Sequence, residues 1–151
     1  MITVGELCNR RVVTIGKDET VLEAARRMRT HHVGSIVVVE QVDGAVKPVG
    51  IVTDRDIVVS VLATASPYLD SLRVGDVTTD PIITARERVS LVDALKTMRA
   101  AGIRRMPVVN DEGALQGILA FDDLFEFLSE ELSDLAALVT REQRREAQRK
   151  I

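Results

Sequence analysis

The sequence contains no tryptophan, and aromatic residues make up only 3% of it. That scarcity excludes an aromatic stacking platform of the kind that grips single-stranded nucleic acid. Positive charge is not in excess either. The formal net charge is −3, which gives no electrostatic pull toward DNA or RNA. The one cysteine, Cys8, cannot close an internal disulfide, so a reducing, cytoplasmic setting is expected. Cys8 reads as a small half-buried hydrophobe rather than a nucleophile. No apolar run approaches the ~20 residues of a membrane span, and the opening MITVGELCNR lacks the apolar stretch of a secretory signal. The only histidines, His31 and His32, are adjacent. Neighbouring helical positions do not face one way, and no cysteine or acid stands at ligand spacing, so no metal centre is expected. There is no Gly-x-x-x-x-Gly-Lys or Gly-x-Gly-x-x-Gly loop and no nucleophile with a base beside it. An enzyme is not expected.

What is present is an ordinary globular mixture, 46% hydrophobic and 28% charged, in a chain long enough to bury roughly 70% of its unfolded surface. It is written twice. Val4-Gly5-Glu6-Leu7 recurs as Val74-Gly75-Asp76-Val77, a spacing of 70 residues. The same spacing relates Val12-Val13-Thr14 to Ile82-Ile83-Thr84, Met28-Arg29 to Met98-Arg99, and Val38-Val39 to Val108-Val109. It falls to 67 between Gly50 and Gly117, because the first copy carries a longer hairpin, Glu40 to Val49, than the second, Asn110 to Gln116. Hairpin tips tolerate such differences. Each copy reads as a short extended segment, then a helix with i, i+3, i+4, i+7 apolar spacing. Thr20 and Ser90 are the expected N-caps of these helices. Two buried strands follow, Ser35 to Val39 with Val49 to Val52, and Met106 to Val109 with Leu115 to Leu119. Asp43-Gly44 and Glu112-Gly113 mark their turns. A helix closes each copy, from near Asp54 and near Phe121. Elements this short cannot support separate cores, so the copies should pack as one pseudo-symmetric unit.

The junction from last strand to last helix is the distinctive feature. It reads Gly50-Ile51-Val52-Thr53-x-x-Asp56 in copy one and Gly117-Ile118-Leu119-Ala120-x-x-Asp123 in copy two. The entry to the buried strand is His32-Val33-Gly34-Ser35-Ile36-Val37-Val38-Val39 in one copy and Arg105-Met106-Pro107-Val108-Val109 in the other. In these residues the chain resembles the CBS domain (the cystathionine-beta-synthase module), and two in tandem resemble a stand-alone, bacterial-type Bateman module. The resemblance covers about residues 1 to 128. It implies an α/β (α+β) fold of two βαββα repeats, 1–69 and 70–129, packed as a pseudo-two-fold pair, with a helical tail over 130–151. It also implies a regulatory module that binds an adenine nucleotide between the repeats: AMP, ADP, ATP or NAD, or S-adenosylmethionine.

Chemistry and resemblance meet at the two acids. A ribose offers two neighbouring hydroxyl donors and a carboxylate two acceptor oxygens, so Asp56 and Asp123 are the candidate ribose ligands. Thr53, Arg55 and the free N–H groups of the helix starting at Asp54 would favour phosphate. Thr53-x-x-Asp56 equally reads as a capping box, Thr as N-cap and the acid at N3; both roles can coexist in Thr53. Copy two lacks the hydroxyl at Ala120, has Phe121 where copy one has Asp54, and adds a second acid at Asp122, so its site is expected to be weaker toward phosphate. The resemblance sets Arg104 and Arg105 toward phosphates in the shared cleft, with a solvated arginine pair as the alternative. Ile51, Ile118, Met106 and Pro107 complete the strand-side candidates. By the same resemblance, Thr78 and Ile83 lie beside Asp56, and Cys8 and Val13 beside Asp123.

The apolar stripes Ile57, Val58, Val61, Leu62 and Leu124, Phe125, Leu128, Leu132 predict a homodimer formed through these helices. Thr140-Arg141-Glu142-Gln143 reads as a fresh capping box that opens a basic-leaning tail, either a solvated helix or a docking arm. The leading reading is a ligand sensor acting on a regulated protein, without nucleic acid or membrane. The alternative is a scaffolding protein that keeps the fold and binds no ligand.

Overall fold

The computed structural model describes residues 1–64, 68–78 and 81–149, so the last two residues of the expected tail, Lys150 and Ile151, lie outside the described residues. Each repeat builds a three-stranded sheet with a helix leading into it. In the first, α1 (Val4–Leu7), β1 (Thr14–Gly16) and α2 (Val21–His31) precede β2 (Ser35–Val42) and β3 (Ala45–Thr53). In the second, α4 (Val74–Val77), β4 (Ala85–Arg86) and α5 (Leu91–Ala101) precede β5 (Arg105–Val109) and β6 (Leu115–Ala120). Between them, α3 (Asp54–Asp56) runs on into further helical turns, and α6 (Phe121–Arg149) closes the chain. The sheet orders match, β1-β2-β3 and β4-β5-β6, and β1 with β2, like β4 with β5, is parallel.

The two repeat helices form for the same local reasons. The Thr20 side chain accepts the N–H of Glu23, and that of Ser90 accepts the N–H of Asp93. One face of each helix is buried, through Val21, Ala24 and Met28, and through Leu91, Ala94 and Met98. Both end on a left-handed residue, His32 (φ 53°) and Gly102 (φ 66°), which turns the chain back toward the sheet.

Three expectations need correction. The strands of the first hairpin do not stop at Val39 and restart at Val49: β2 and β3 pair out to Val42↔Ala45. Asp43 and Gly44 both take positive φ (50° and 78°), the two-residue turn whose twist suits long hairpin strands. The register shift between Val38 and Val39 lets Pro48, which has no N–H, sit in the ladder at a bulge. Second, the helix after Thr53 is regular only over Asp54–Asp56. It continues as a π-helical turn, Ile57–Val61, and a 3₁₀ turn, Leu62–Thr64. The N–H of Leu62 is shared between the carbonyls of Ile57 and Val58. The β-branched run Ile57-Val58-Val59 crowds a regular helix, and the wider turn still buries Ile57 and Val61 in the core. Half of the predicted stripe is therefore spent internally, while Val58 and Leu62 stay exposed. Third, Thr140 caps nothing. Its hydroxyl donates to the Ala136 carbonyl, 3.0 Å away, inside one unbroken helix of 29 residues.

The repeats exchange their opening segments. Val4 and Gly5 donate their N–H groups to Val89 and Glu87 of the second repeat, and Val74 and Gly75 donate theirs to Glu19 and Lys17 of the first, all at 2.8 Å. The side chain of Val74 is fully buried in the first repeat's core with Ile15, Ile36, Val38 and Val52. Its counterpart Val4 is equally buried. No buried side-chain nitrogen or oxygen among the described residues lacks a hydrogen-bond partner. The chain divides into two compact units, Met1–Leu119 and Ala120–Ile151, the second containing α6. No helix among the described residues is long and apolar enough to cross a membrane.

Candidate functional site

Gly50 and Gly117 explain the exchange. The second repeat's chain passes so close over β3 that a Cβ on Gly50 would run into the Thr78 methyl group. The first repeat's chain passes β6 in the same way: a Cβ on Gly117 would lie 2.6 Å from Cys8 Sγ and 2.9 Å from the Asn9 carbonyl. There the backbones also pair, Asn9 and Ile118 exchanging two 2.9 Å hydrogen bonds. Each glycine of the repeated junction is thus a point where backbone meets the opposite repeat, a contact that excludes a side chain. Burial pushes the Cys8 thiol above its ordinary pKa, which Arg10 opposes more weakly. A buried, protonated thiol is a poor nucleophile.

The crossing at Gly50 opens a cleft of about 420 Å³, within the range of small-ligand sites. Ile51, Thr53, Asp56 and Ser60 line it from the first repeat. Val77, Thr78, Pro81, Ile82, Ile83, Ile103, Arg104 and Arg105 line it from the second. The structure thus brings six candidates into one cavity besides Asp56: Ile51, Thr53, Thr78, Ile83, Arg104 and Arg105 line its walls. Arg55 itself is exposed and not part of the lining; its N–H is bonded to the Asp54 carboxylate.

At the head of α3 both halves of a capping box are made. Thr53 N–H donates to Asp56 Oδ2 (2.9 Å), and Asp56 N–H donates to Thr53 Oγ1 (3.1 Å). Capping and ligand binding do not compete for every lone pair. Asp56 Oδ1 makes no part of the box, and a carboxylate has about four acceptor sites. The Thr53 oxygen accepts from the backbone while its own proton can still be donated. The Thr78 hydroxyl is turned inward, donating to the Val74 carbonyl at 2.8 Å, which leaves its methyl against Gly50.

The remaining candidates lie elsewhere. Met106 and Pro107 are buried in β5. Ile118 is half-buried in β6, bonded to Asn9. Val13 borders an open groove with Arg11, Thr14, Arg27 and His31. Asp123 stands in the first turn of α6, in the second compact unit. Sequence reasoning passed over Ser60, Val77, Pro81, Ile82 and Ile103. Ser60 is one helical turn beyond Asp56, so the spacing was a usable signal. The others depend on how the second repeat crosses the first. Among the described residues no three His, Cys, Asp or Glu side chains converge on a metal site.

Comparison with known proteins agrees with this architecture. The sequence model of the CBS domain matches residues 4–63 and 74–130. An uncharacterised protein of Methanopyrus kandleri is 38% identical over 125 residues, 83% of this chain; the chain spans 62% of that protein's length. The CBS domain-containing protein YhcV of Bacillus subtilis is 37% identical over 124 residues, 82% of this chain and 84% of its own. A CBS domain protein from Pyrobaculum aerophilum, solved as its AMP complex, superposes with a TM-score of 0.72 at 29% identity, covering 82% of this chain and 90% of that one. With two tandem matches, both built on the strand-to-helix junction and the exchanged segments described above, the chain belongs to the CBS domain family.

Proposed function

We propose that the chain is a regulatory sensor rather than an enzyme, and that it binds an adenosine nucleotide in the Asp56 cleft. The observation that carries this reading is the composition of that one cavity. A carboxylate and a hydroxyl come from one repeat, and two arginines come from the other. Asp56 takes the two ribose hydroxyls, a charge-assisted contact worth about 1.5–3 kcal/mol. Arg104 and Arg105 take the phosphate with the Thr53 hydroxyl, because a planar guanidinium fits phosphate oxygens bidentately. Ile51, Val77, Ile83 and Ile103 flank the base. The AMP complex of the Pyrobaculum relative supports an adenosine ligand. The arginine pair favours AMP, ADP, ATP or NAD over S-adenosylmethionine, which carries no phosphate.

The positions related to this site by the repeat are poorer in phosphate chemistry. Ala120 replaces Thr53, and Gly34 and Ser35 stand where the second repeat has Arg104 and Arg105. One strong phosphate-binding site per chain is therefore the reading, with Asp123 contributing at most a weaker one. Occupancy would be passed on through a homodimer, and from there to a regulated protein in the cytoplasm. The test is a thermal-shift panel of AMP, ADP, ATP, NAD, S-adenosylmethionine and adenosine. A ligand at 100 times its dissociation constant adds about 2.7 kcal/mol. Phosphorylated members should raise the melting temperature more than adenosine does. No shift with any member at millimolar concentration would leave the scaffolding reading in its place.

A further inference from the structure

The CBS match stops at residue 130, yet α6 runs on to Arg149. Across that limit it carries a second pattern that the cleft does not use. Phe125, Leu128, Leu132, Leu135 and Val139 follow one another at steps of 3, 4, 3 and 4 residues. A repeat averaging 3.5 residues marks a seam for another helix, narrower than the face a helix turns to a globular core. These side chains lie open to water, with relative exposures of 64%, 46%, 66%, 60% and 53%, and Leu138 beside them is 56% exposed. Covering such a row on two helices would remove on the order of 1,000 Å² from solvent, the lower bound of a specific interface.

We propose that α6 pairs antiparallel with α6 of a second copy of this chain through the seam Leu128, Leu132, Leu135 and Val139. The inference goes beyond ligand sensing and does not rest on it. The choice of a second copy follows from charge. From 121 to 134 the helix holds six carboxylates and no cation; from 135 to 149 it holds four arginines and two glutamates. Such a helix is complementary to itself only when reversed. A parallel pair would set the carboxylate-rich halves side by side, whereas an antiparallel pair sets each against the arginine-rich half of the other. The two macrodipoles then also lie head to tail. With Leu128 of one copy opposite Val139 of the other, and Leu132 opposite Leu135, the two-fold axis falls between Ser133 and Asp134. That register brings the stretch Asp122 to Glu126 alongside Arg141 to Arg145. Two heptads are fewer than the three to four that sustain a coiled coil alone, so the pair forms reversibly and dissociates on dilution.

The experiment is sedimentation of the full chain from 1 to 100 μM, for the native sequence and for Leu132→Glu combined with Leu135→Glu. Both positions are more than half exposed, so the variant's melting temperature and cleft should be unchanged. The dimer dissociation constant should rise on the order of 100-fold or more. Spin labels at Gln148→Cys, in a Cys8→Ala background, report the orientation. A label 14 to 15 residues from the axis on each helix gives a separation of about 45 Å when antiparallel and about 10–20 Å when parallel. A native chain that is monomeric at 100 μM, a double variant that dimerises as the native chain does, or a label separation in the shorter range would each overturn the proposal.

Discussion

At the scale of single residues, the glycine that opens the repeated junction has a steric reason that its sequence neighbours do not disclose. Gly50 faces the Thr78 methyl group and Gly117 faces Cys8 Sγ. Gly50→Ala should destabilise the fold by about 1–3 kcal/mol, the usual cost of overpacking. Thr78→Ser removes the methyl in the way, after which the next atom, Thr78 Cβ, is an ordinary 3.4 Å from the new side chain. The pair Gly50→Ala with Thr78→Ser should therefore recover most of the loss, read by urea denaturation as a double-mutant cycle. Additive losses would mean that the glycine is needed for its backbone freedom instead. Cys8 should resist thiol reagents in the native state and react at the rate of unfolding, since it is buried and its thiol is held protonated. Fast labelling of folded protein by a chromogenic disulfide would contradict this. At Asp56 the sequence admitted a helix cap and a ligand contact at once, and the structure makes the cap without exhausting the acceptors of the carboxylate.

At the scale of elements, caps separate helices that begin from helices that merely continue. Ser90→Ala removes the acceptor for the Asp93 N–H and should cost about 0.5–2 kcal/mol. Thr140→Ala removes only a bond back to Ala136 within the helix. It should leave stability and helical circular dichroism unchanged or slightly higher, because alanine is the better helix former. A loss near 1 kcal/mol at Thr140 would restore the second helix start that its Thr-x-x-Gln spacing suggested. The strands and repeat helices were legible because apolar periodicity and caps are local signals: Val21, Ala24 and Met28 point to one face whatever surrounds them. Three features were not legible. The strand pairing beyond Val39 was not read, because Glu40, Gln41 and Lys47 interrupt the apolar run, although the Asp-Gly turn of the hairpin was seen. The π turn at Ile57 arises from crowding that a 3.6-residue template cannot register. The continuity of α6 through Thr140 depends on nothing stopping it, and a helix-compatible cap motif is indistinguishable from a helix interior until the chain has folded.

At the scale of the molecule, the internal repeat was plain from the constant spacing of 70 residues between Val4 and Val74, and with it the pairing of two similar sheets. The exchange of opening segments was not plain, because no local pattern says which repeat a segment will join. It shapes the cleft: Thr78, Ile83, Arg104 and Arg105 line one cavity with Asp56, and α4 lies on the first repeat. The repeats therefore stabilise one another. The second repeat expressed alone, from about residue 70, would lack Val4 and should fail to fold cooperatively, as judged by the loss of a sharp thermal transition. The two halves are alike in fold and unlike in chemistry, so the sensor account predicts unequal binding. The most direct test is isothermal titration of AMP into the native chain, Asp56→Ala and Asp123→Ala. The account predicts that Asp56→Ala weakens the tightest site by about 1.5–3 kcal/mol, the worth of the charge-assisted ribose contact, while Asp123→Ala leaves that site within a factor of a few. Unchanged affinity in Asp56→Ala, or loss of the tight site in Asp123→Ala instead, would contradict it.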